Sequence, residues 1–103
     1  MLRIVAEALT NVRKHSRARK VFVHFASRNG QWNLLIEDDG EGFDFSGRLS
    51  HAELEATHRG PKVIRERVRS IGGELSVLST PGRGARLEIT FSEKPPDVKL
   101  ISI

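Results

Sequence analysis

The sequence has no cysteine, and aromatic residues make up only 6% of its 103 positions. Without cysteine, a disulfide framework, a thiolate nucleophile and a zinc finger are all excluded. No apolar run approaches the roughly 20 residues that a membrane-spanning helix needs. The first residues also lack the apolar core of a secretory signal. We therefore expect a cytoplasmic domain that makes no membrane contact of its own.

Positive charge is in excess. Seventeen Lys and Arg against 13 Asp and Glu give a net charge of +4, which suits a nucleic acid, an acidic membrane or a phosphorylated ligand. The basic cluster over residues 13–20 is accompanied by no aromatic stacking platform and no known nucleic-acid motif. We therefore expect no direct nucleic-acid partner, because phosphate attraction or a solvated surface explains the cluster more simply.

The length predicts one domain, since a chain of 103 residues closes a single hydrophobic core. We place this domain at residues 1–94. The Pro95-Pro96 pair then begins a C-terminal tail, residues 95–103. A helical pattern starts at the first residues with no capping sequence ahead of it, so we expect a piece of a longer protein.

The first segment predicts a helix over residues 2–16 with one polar face. Its helically spaced apolar residues form a stripe: Leu2, Val5, Leu9 and Val12. Glu7, Asn11 and Lys14 fall together on the opposite face, and His15 lies at its margin. An amide oxygen suits Mg²⁺, and an acid one turn away can orient a hydroxyl or a water. The alternative is a solvated face of an amphipathic helix.

Alternating apolar residues predict four strands, at residues 20–26, 31–37, 74–79 and 85–91. Asn29-Gly30 predicts a two-residue hairpin turn between the first two. By strand parity, Asp38 shares the side of Trp32 and Leu34, so its carboxylate points toward the core. Such a carboxylate either contacts a ligand or caps the following Asp-Gly turn.

Residues 43–60 have a mixed composition that predicts a mobile loop, longer than ordinary connections and thus a candidate lid. Pro61 suits the first position of a second helix that ends at Gly72-Gly73. Its apolar stripe is Ile64, Val68 and Ile71, and its outer face carries Lys62, Arg65 and Arg69. A helix start offers N–H groups to a phosphate, and the glycines after Asp38 let a flat ligand approach the backbone. These elements together predict a nucleotide pocket.

Four motifs, in this order, resemble those of the ATP-binding domain of bacterial sensor histidine kinases. Their wording is most similar to the subgroup whose response regulators are of the NarL/LuxR type. The matching segments are Glu7-Ala8-Leu9-Thr10-Asn11, Asp38-Asp39-Gly40-Glu41-Gly42, Ile64-Arg65-Glu66-Arg67-Val68 and Ser79-Thr80-Pro81-Gly82-Arg83-Gly84.

The resemblance implies an α+β fold of the Bergerat type. This is a two-layer α/β sandwich with a mixed, mostly antiparallel sheet, covered on one face by helices and carrying an ATP lid. It also implies Mg-ATP binding and transfer of the γ-phosphate to a histidine. That histidine would belong to a separate dimerisation domain of the same kinase, and a response regulator would act downstream.

The resemblance also implies residue roles. Asn11 would hold Mg²⁺, Glu7 would be the polar or general-base residue, and Asp38 would accept a hydrogen bond from the adenine amino group. Gly40 and Gly42 would shape the adenine floor, Lys14 and His15 would be phosphate neighbours, and Gly60 and Gly84 would border the phosphates. We add Arg59 and Lys62 to the ATP-binding positions for their positive charge beside Gly60.

Three features depart from the family pattern. Only Gly60 remains of the second glycine motif, and Pro61 removes one N–H that would face the phosphates. Ala85 replaces a frequent hydroxyl residue. A degenerate, non-catalytic module of the same fold is therefore one alternative, and an anti-sigma-type serine kinase is another.

Overall fold

The computed structural model describes residues 1–95. The predicted tail from Pro96 onward lies outside the described residues. In chain order the elements are α1 (Leu2–Asn11), a π-helical turn (Val12–Ser16), β1 (Val21–Arg28), β2 (Gln31–Asp38), β3 (Gly47–Leu49), α2 (His51–Thr57), α3 (Lys62–Ser70), β4 (Gly73–Thr80) and β5 (Gly84–Phe91).

The five strands form one sheet in the order β1-β2-β5-β4-β3. All four pairings are antiparallel, so the parallel pairing allowed by a mixed sheet is absent from the described residues. The predicted hairpin is confirmed, because Asn29 and Gly30 both have positive φ, at 53° and 78°, as that turn requires. The predicted α+β architecture, with helices over one sheet face, is confirmed.

The core lies between the sheet and the helices. Trp32, Leu34 and Ile36 are buried on one side of β2, as strand parity predicts. β4 and β5 add their alternate residues, and α3 buries Ile64 and Val68. Asp38 continues the inward side of β2, which places a carboxylate at the end of an apolar row.

The predicted apolar stripe on α1 is wrong in part, since Val5 packs against the core but two other members do not. Leu2 and Leu9 are 66% and 42% exposed, whereas Ile4 and Ala8 are nearly fully buried. α1 has apolar residues on more than one face, and spacing alone does not select the face that packs.

The loop predicted over residues 43–60 is also wrong in part, because it contains β3 and α2. A capping box starts α2: the Glu53 backbone N–H donates to Ser50 Oγ at 3.2 Å, and the Ser50 backbone N–H donates to the Glu53 carboxylate at 3.1 Å. Ser50-x-x-Glu53 is a helix-start signature that the composition of this segment obscured.

The second predicted helix is confirmed with two corrections. Pro61 caps α3 from an extended conformation instead of occupying its first turn. Arg65 is buried, with 7% of its surface exposed, and does not lie on the outer face.

Candidate functional site

A cavity of about 330 Å³ opens between α1, the sheet and the start of α3. Most of its walls are apolar, and its polar groups come from the end of α1, from the π turn and from the end of β2. The lining residues are Ala8, Asn11, Val12, His15, Ser16, Ile36, Asp38, Gly42, Phe43, Pro61, Ile64, Ala85 and Leu87. Four of the predicted site residues, Asn11, His15, Asp38 and Gly42, therefore share one cavity.

Asp38 both lines the cavity and caps the turn that follows β2. It lines the cavity, and its Oδ1 accepts a hydrogen bond from the Gly40 backbone N–H at 2.8 Å, which caps the turn. Burial raises the pKa of Asp38 above its ordinary value; the Gly40 hydrogen bond opposes this, and the negative charges of Asp39 and Glu37 add to it. The cavity therefore contains a partly desolvated carboxylate.

The neighbouring Asp39 points away from the cavity and has a structural role. Its Oδ1 accepts hydrogen bonds from the backbone N–H groups of Arg19 and Lys20, at 2.8 and 2.9 Å. Hydrogen bonds from Lys20 and then Arg19 lower the pKa of Asp39. Asp39 thus fixes the approach to β1 against the turn after β2.

Close backbone contacts explain the predicted glycines Gly40 and Gly84. A Cβ on Gly40 would come within 2.2 Å of the Ser16 carbonyl oxygen, and a Cβ on Gly84 within 2.0 Å of the Asp38 carbonyl oxygen. Neither residue lines the cavity. Both glycines permit the contacts that join the turn after β2 to the π turn and to β5.

Gly42 lines the cavity, and a Cβ there would meet the Gly84 carbonyl oxygen at 2.8 Å and Ser79 Oγ at 3.0 Å. Ser79 opens the last of the four sequence motifs, but no role was predicted for it. It is 1% exposed, and its Oγ accepts a hydrogen bond from the Phe43 backbone N–H at 2.8 Å. Its inward parity on β4, next to the Gly82–Gly84 motif, was the available signal.

The π turn separates Lys14 from the face on which it was predicted. One additional residue per turn rotates the side chains after Asn11, so His15 and Ser16 line the cavity while Lys14 is exposed. Ser16 also joins this turn to the turn after β2, since its carbonyl oxygen accepts the Glu41 backbone N–H. Glu7, one turn before Asn11, is half-buried and does not line the cavity.

Gly60, in the segment before α3, lies next to the cavity-lining residue Pro61 but does not itself line the cavity. Gly60 has a φ of +76°, and a Cβ there would meet Leu54 Cδ2 at 2.9 Å. Arg59 and Lys62 are exposed on either side of it, and neither lines the cavity. Only Pro61, between them, reaches the cavity wall.

Two kinds of feature are absent from the part of the chain that the structure describes. Residues 1–95 contain no cluster of three or more His, Cys, Asp and Glu side chains that could hold a metal ion. Within the same range, no helix is long and apolar enough to cross a membrane.

Comparisons with known proteins agree with this geometry. A family model described as "Histidine kinase-, DNA gyrase B-, and HSP90-like ATPase" matches residues 1–95. The chain is 37% identical over 89 residues to the sensor histidine kinase LiaS of Bacillus subtilis (strain 168), which covers 86% of this chain and 23% of LiaS.

Two further relatives have similar coverage. The sensor histidine kinase YdfH of the same strain is 33% identical over 88 residues, covering 84% of this chain and 21% of YdfH. The sensor protein VraS of Staphylococcus aureus (strain COL) is 33% identical over 89 residues, covering 86% of this chain and 24% of VraS. The chain thus spans less than a quarter of LiaS or YdfH. On the family match, it belongs to the histidine kinase-, DNA gyrase B- and HSP90-like ATPase family.

Proposed function

We propose that this domain binds Mg-ATP in the cavity between α1 and α3. Within a full-length sensor kinase, it transfers the γ-phosphate to a histidine on a separate dimerisation domain. The observation that carries the proposal is the inward carboxylate of Asp38 at the end of an apolar cavity. The family match and the names of the relatives support it.

Recognition of the adenine ring depends on Asp38. An ionised carboxylate has about four acceptor positions, so Asp38 can hold the Gly40 N–H and still accept a hydrogen bond from an adenine amino group. Guanine presents an acceptor oxygen at the corresponding position, which an ionised carboxylate repels. Ala8, Ile36 and Leu87 supply apolar walls for a flat ring.

The residues present also fit Mg²⁺. This ion is usually bound through one or two protein oxygens together with phosphates and waters, so the absence of a larger acidic cluster in residues 1–95 is compatible with it. The Asn11 amide oxygen would be the protein ligand, and the ion would neutralise phosphate charge. His15 would contact the phosphates, and Lys14, Arg59 and Lys62 would attract them from the exposed rim.

Calorimetric titration with ATP, with and without Mg²⁺, tests the binding step. We expect binding to the wild type, a strong loss for Asp38→Asn, and little change for the control Asp39→Asn, whose side chain points away from the cavity. If the wild type gives no heat and no thermal shift at millimolar ATP, the kinase proposal is wrong.

The transfer step is tested by adding the dimerisation domain of the parent kinase in trans. We expect acid-labile phosphate on its histidine and a reduced rate for Glu7→Gln with ATP binding retained. Acid-stable phosphate on a partner serine would instead identify a serine kinase. We also propose a cytoplasmic location and a response regulator of the NarL/LuxR type, and phosphotransfer to purified regulators of different types tests the latter.

One observation favours a second candidate, a non-catalytic module of the same family. Pro61 lines the cavity at the start of α3 and has no N–H to offer a phosphate. For such a module, we expect that the wild type does not bind ATP and that the Pro61→Ala variant does.

A further inference from the structure

Arg65 is a buried cation, although its helical spacing predicted a position on the outer face of the helix. Only 7% of its surface is exposed. Its Nη1 donates hydrogen bonds to the carbonyl oxygens of Leu54 at 3.1 Å and of Arg59 at 3.2 Å. A buried charge is costly unless hydrogen bonds compensate for it, so these two acceptors account for its burial.

Both acceptors belong to the segment that leads from α2 into α3. Leu54 lies in the last turn of α2, and its carbonyl oxygen also accepts the Arg59 backbone N–H at 3.3 Å. A guanidinium is favourable here because carbonyl groups concentrate negative partial charge at a helix C-terminus. Arg65 therefore ties the end of α2 to α3.

The same residue holds both sides of residues 59–61, which we call the Gly60 corner. Its side chain binds the Arg59 carbonyl oxygen, and its backbone N–H donates to the Pro61 carbonyl oxygen at 2.9 Å. The corner leaves little free space, since a Cβ on Gly60 would lie 2.9 Å from Leu54 Cδ2. Its conformation therefore depends on few, specific contacts.

The Gly60 corner is also part of the cavity wall. Pro61 and Ile64 line the cavity on the α3 side, and Arg65 follows Ile64 directly in α3. A displacement of the corner would therefore move the wall against which a nucleotide packs.

We propose that Arg65 is a positioning residue that fixes the Gly60 corner, and with it the α3 wall of the cavity, in the conformation that binds nucleotide. The inference rests on the proposed function. A planar guanidinium holds two carbonyls at once, which a lysine ammonium does with less geometric definition. Without this group, the corner would populate several conformations, and only a fraction of them would bind ATP.

The test compares Arg65→Met, Arg65→Lys and the control Arg69→Met in the whole domain. Arg69 lies one turn later on α3 and also reaches α2, through Glu55 at 3.5 Å, but its side chain is 74% exposed. We measure ATP affinity by calorimetry and local order by hydrogen exchange over residues 54–61.

We expect ATP affinity about tenfold weaker for Arg65→Met, because affinity falls in proportion to the binding-competent fraction. Exchange should accelerate over residues 54–61 while the β2–β5 core stays protected. Arg65→Lys should have an intermediate affinity, which remains measurable even if Arg65→Met does not fold. Arg69→Met should change affinity less than about twofold, as for exposed ion pairs.

Two results would overturn the inference. One is wild-type affinity and wild-type exchange in both Arg65 variants. The other is uniformly faster exchange with an affinity loss that only follows global stability, which would make Arg65 a general structural residue. If the wild type binds no ATP, the proposed function is wrong. If the wild type binds ATP and the Arg65 variants behave like it, only the inference about Arg65 is wrong.

Discussion

The two ends of the cavity are built in different ways. At the Asp38 end, backbone groups approach so closely that Gly40 and Gly84 have no room for a Cβ, and Asp38 itself is partly buried. At the end formed by the start of α3, the predicted phosphate neighbours Arg59 and Lys62 are exposed side chains. The Asp38 end, where we propose that the base binds and which we call the base end, is therefore fixed by the fold itself. The α3 end, where we propose that the phosphates bind and which we call the phosphate end, depends on exposed charged side chains and on the Gly60 corner.

The comparison of Asp38 with Asp39 shows how finely this placement is determined. The two carboxylates are adjacent in sequence, but burial raises the pKa of Asp38 while backbone N–H donors lower that of Asp39. Ionised Asp38 therefore destabilises the folded state, whereas ionised Asp39 stabilises it. A destabilising carboxylate that lines a cavity is typical of a functional site, because a bound ligand can compensate for its burial.

The largest expected effect is at the base end. Gly84→Ala should lower the free energy of unfolding by more than about 3 kcal/mol, since the new Cβ would overlap the Asp38 carbonyl group. Gly82→Ala is the matched control in the same loop. It also has positive φ but has open space around its Cβ, so it should cost only about 1–2 kcal/mol. Urea denaturation measures both, and equal losses would contradict a base end fixed by backbone contact.

Asp38→Asn separates binding from stability. ATP affinity should fall by about 10- to 100-fold, as expected for loss of a hydrogen bond to a charged group, and discrimination against GTP should weaken. The free energy of unfolding at pH 7 should stay equal or rise. Because the folded pKa is raised, the cost of ionising Asp38 is complete above that pKa and absent below the ordinary value of 3.8. A stability loss at pH 7 with unchanged ATP binding would refute this role.

Asp39→Asn should give the opposite pattern, with reduced stability at pH 7 and nearly unchanged ATP affinity. Because the folded pKa of Asp39 is lowered, its contribution is present above the ordinary value of 3.8 and disappears as the pH falls through the folded pKa. Chemical denaturation from pH 7 down to pH 2 measures the difference from the wild type. A difference that stays constant over this range would be evidence against the two backbone hydrogen bonds.

The smallest effect belongs to the exposed rim. Lys62→Ala should weaken ATP binding by less than about fivefold, and the loss should vanish near 1 M salt, where the screening length is about 3 Å. Arg28 ends β1 and pairs with Gln31 at the hairpin end of β2, whereas Asp38 lies at the other end of that strand. Arg28→Ala is therefore the control and should have no effect. A large, salt-independent loss for Lys62→Ala would show that the phosphate end is as rigid as the base end.

Sequence patterns predicted the parts of this molecule that depend on alternation and on turn chemistry. The four longer strands, the Asn29-Gly30 hairpin and the inward side chain of Asp38 follow from a period of two, which leaves little choice of face. On α1, apolar residues occupy several faces, so only packing could show that Ile4 and Ala8 are buried in place of Leu2 and Leu9.

Three other features were less predictable, each for a physical reason. A π turn is not encoded by hydrophobic periodicity, so the face of Lys14 was wrong. β3 has only three residues, too few to show alternation. The burial of Arg65 follows from the carbonyl groups of Leu54 and Arg59, whose positions exist only once α2 is folded.

An NMR titration of the isotopically labelled domain with Mg-ATP tests the central claim most directly. We predict that the largest shifts occur at the Gly40 amide and at the methyl groups of Ile36, Ile64 and Leu87, and that Asp38→Asn abolishes them. Shifts confined to the exposed basic residues Arg19, Lys20 and Arg83, unchanged in Asp38→Asn, would show that ATP binds only through its phosphates and would contradict the account.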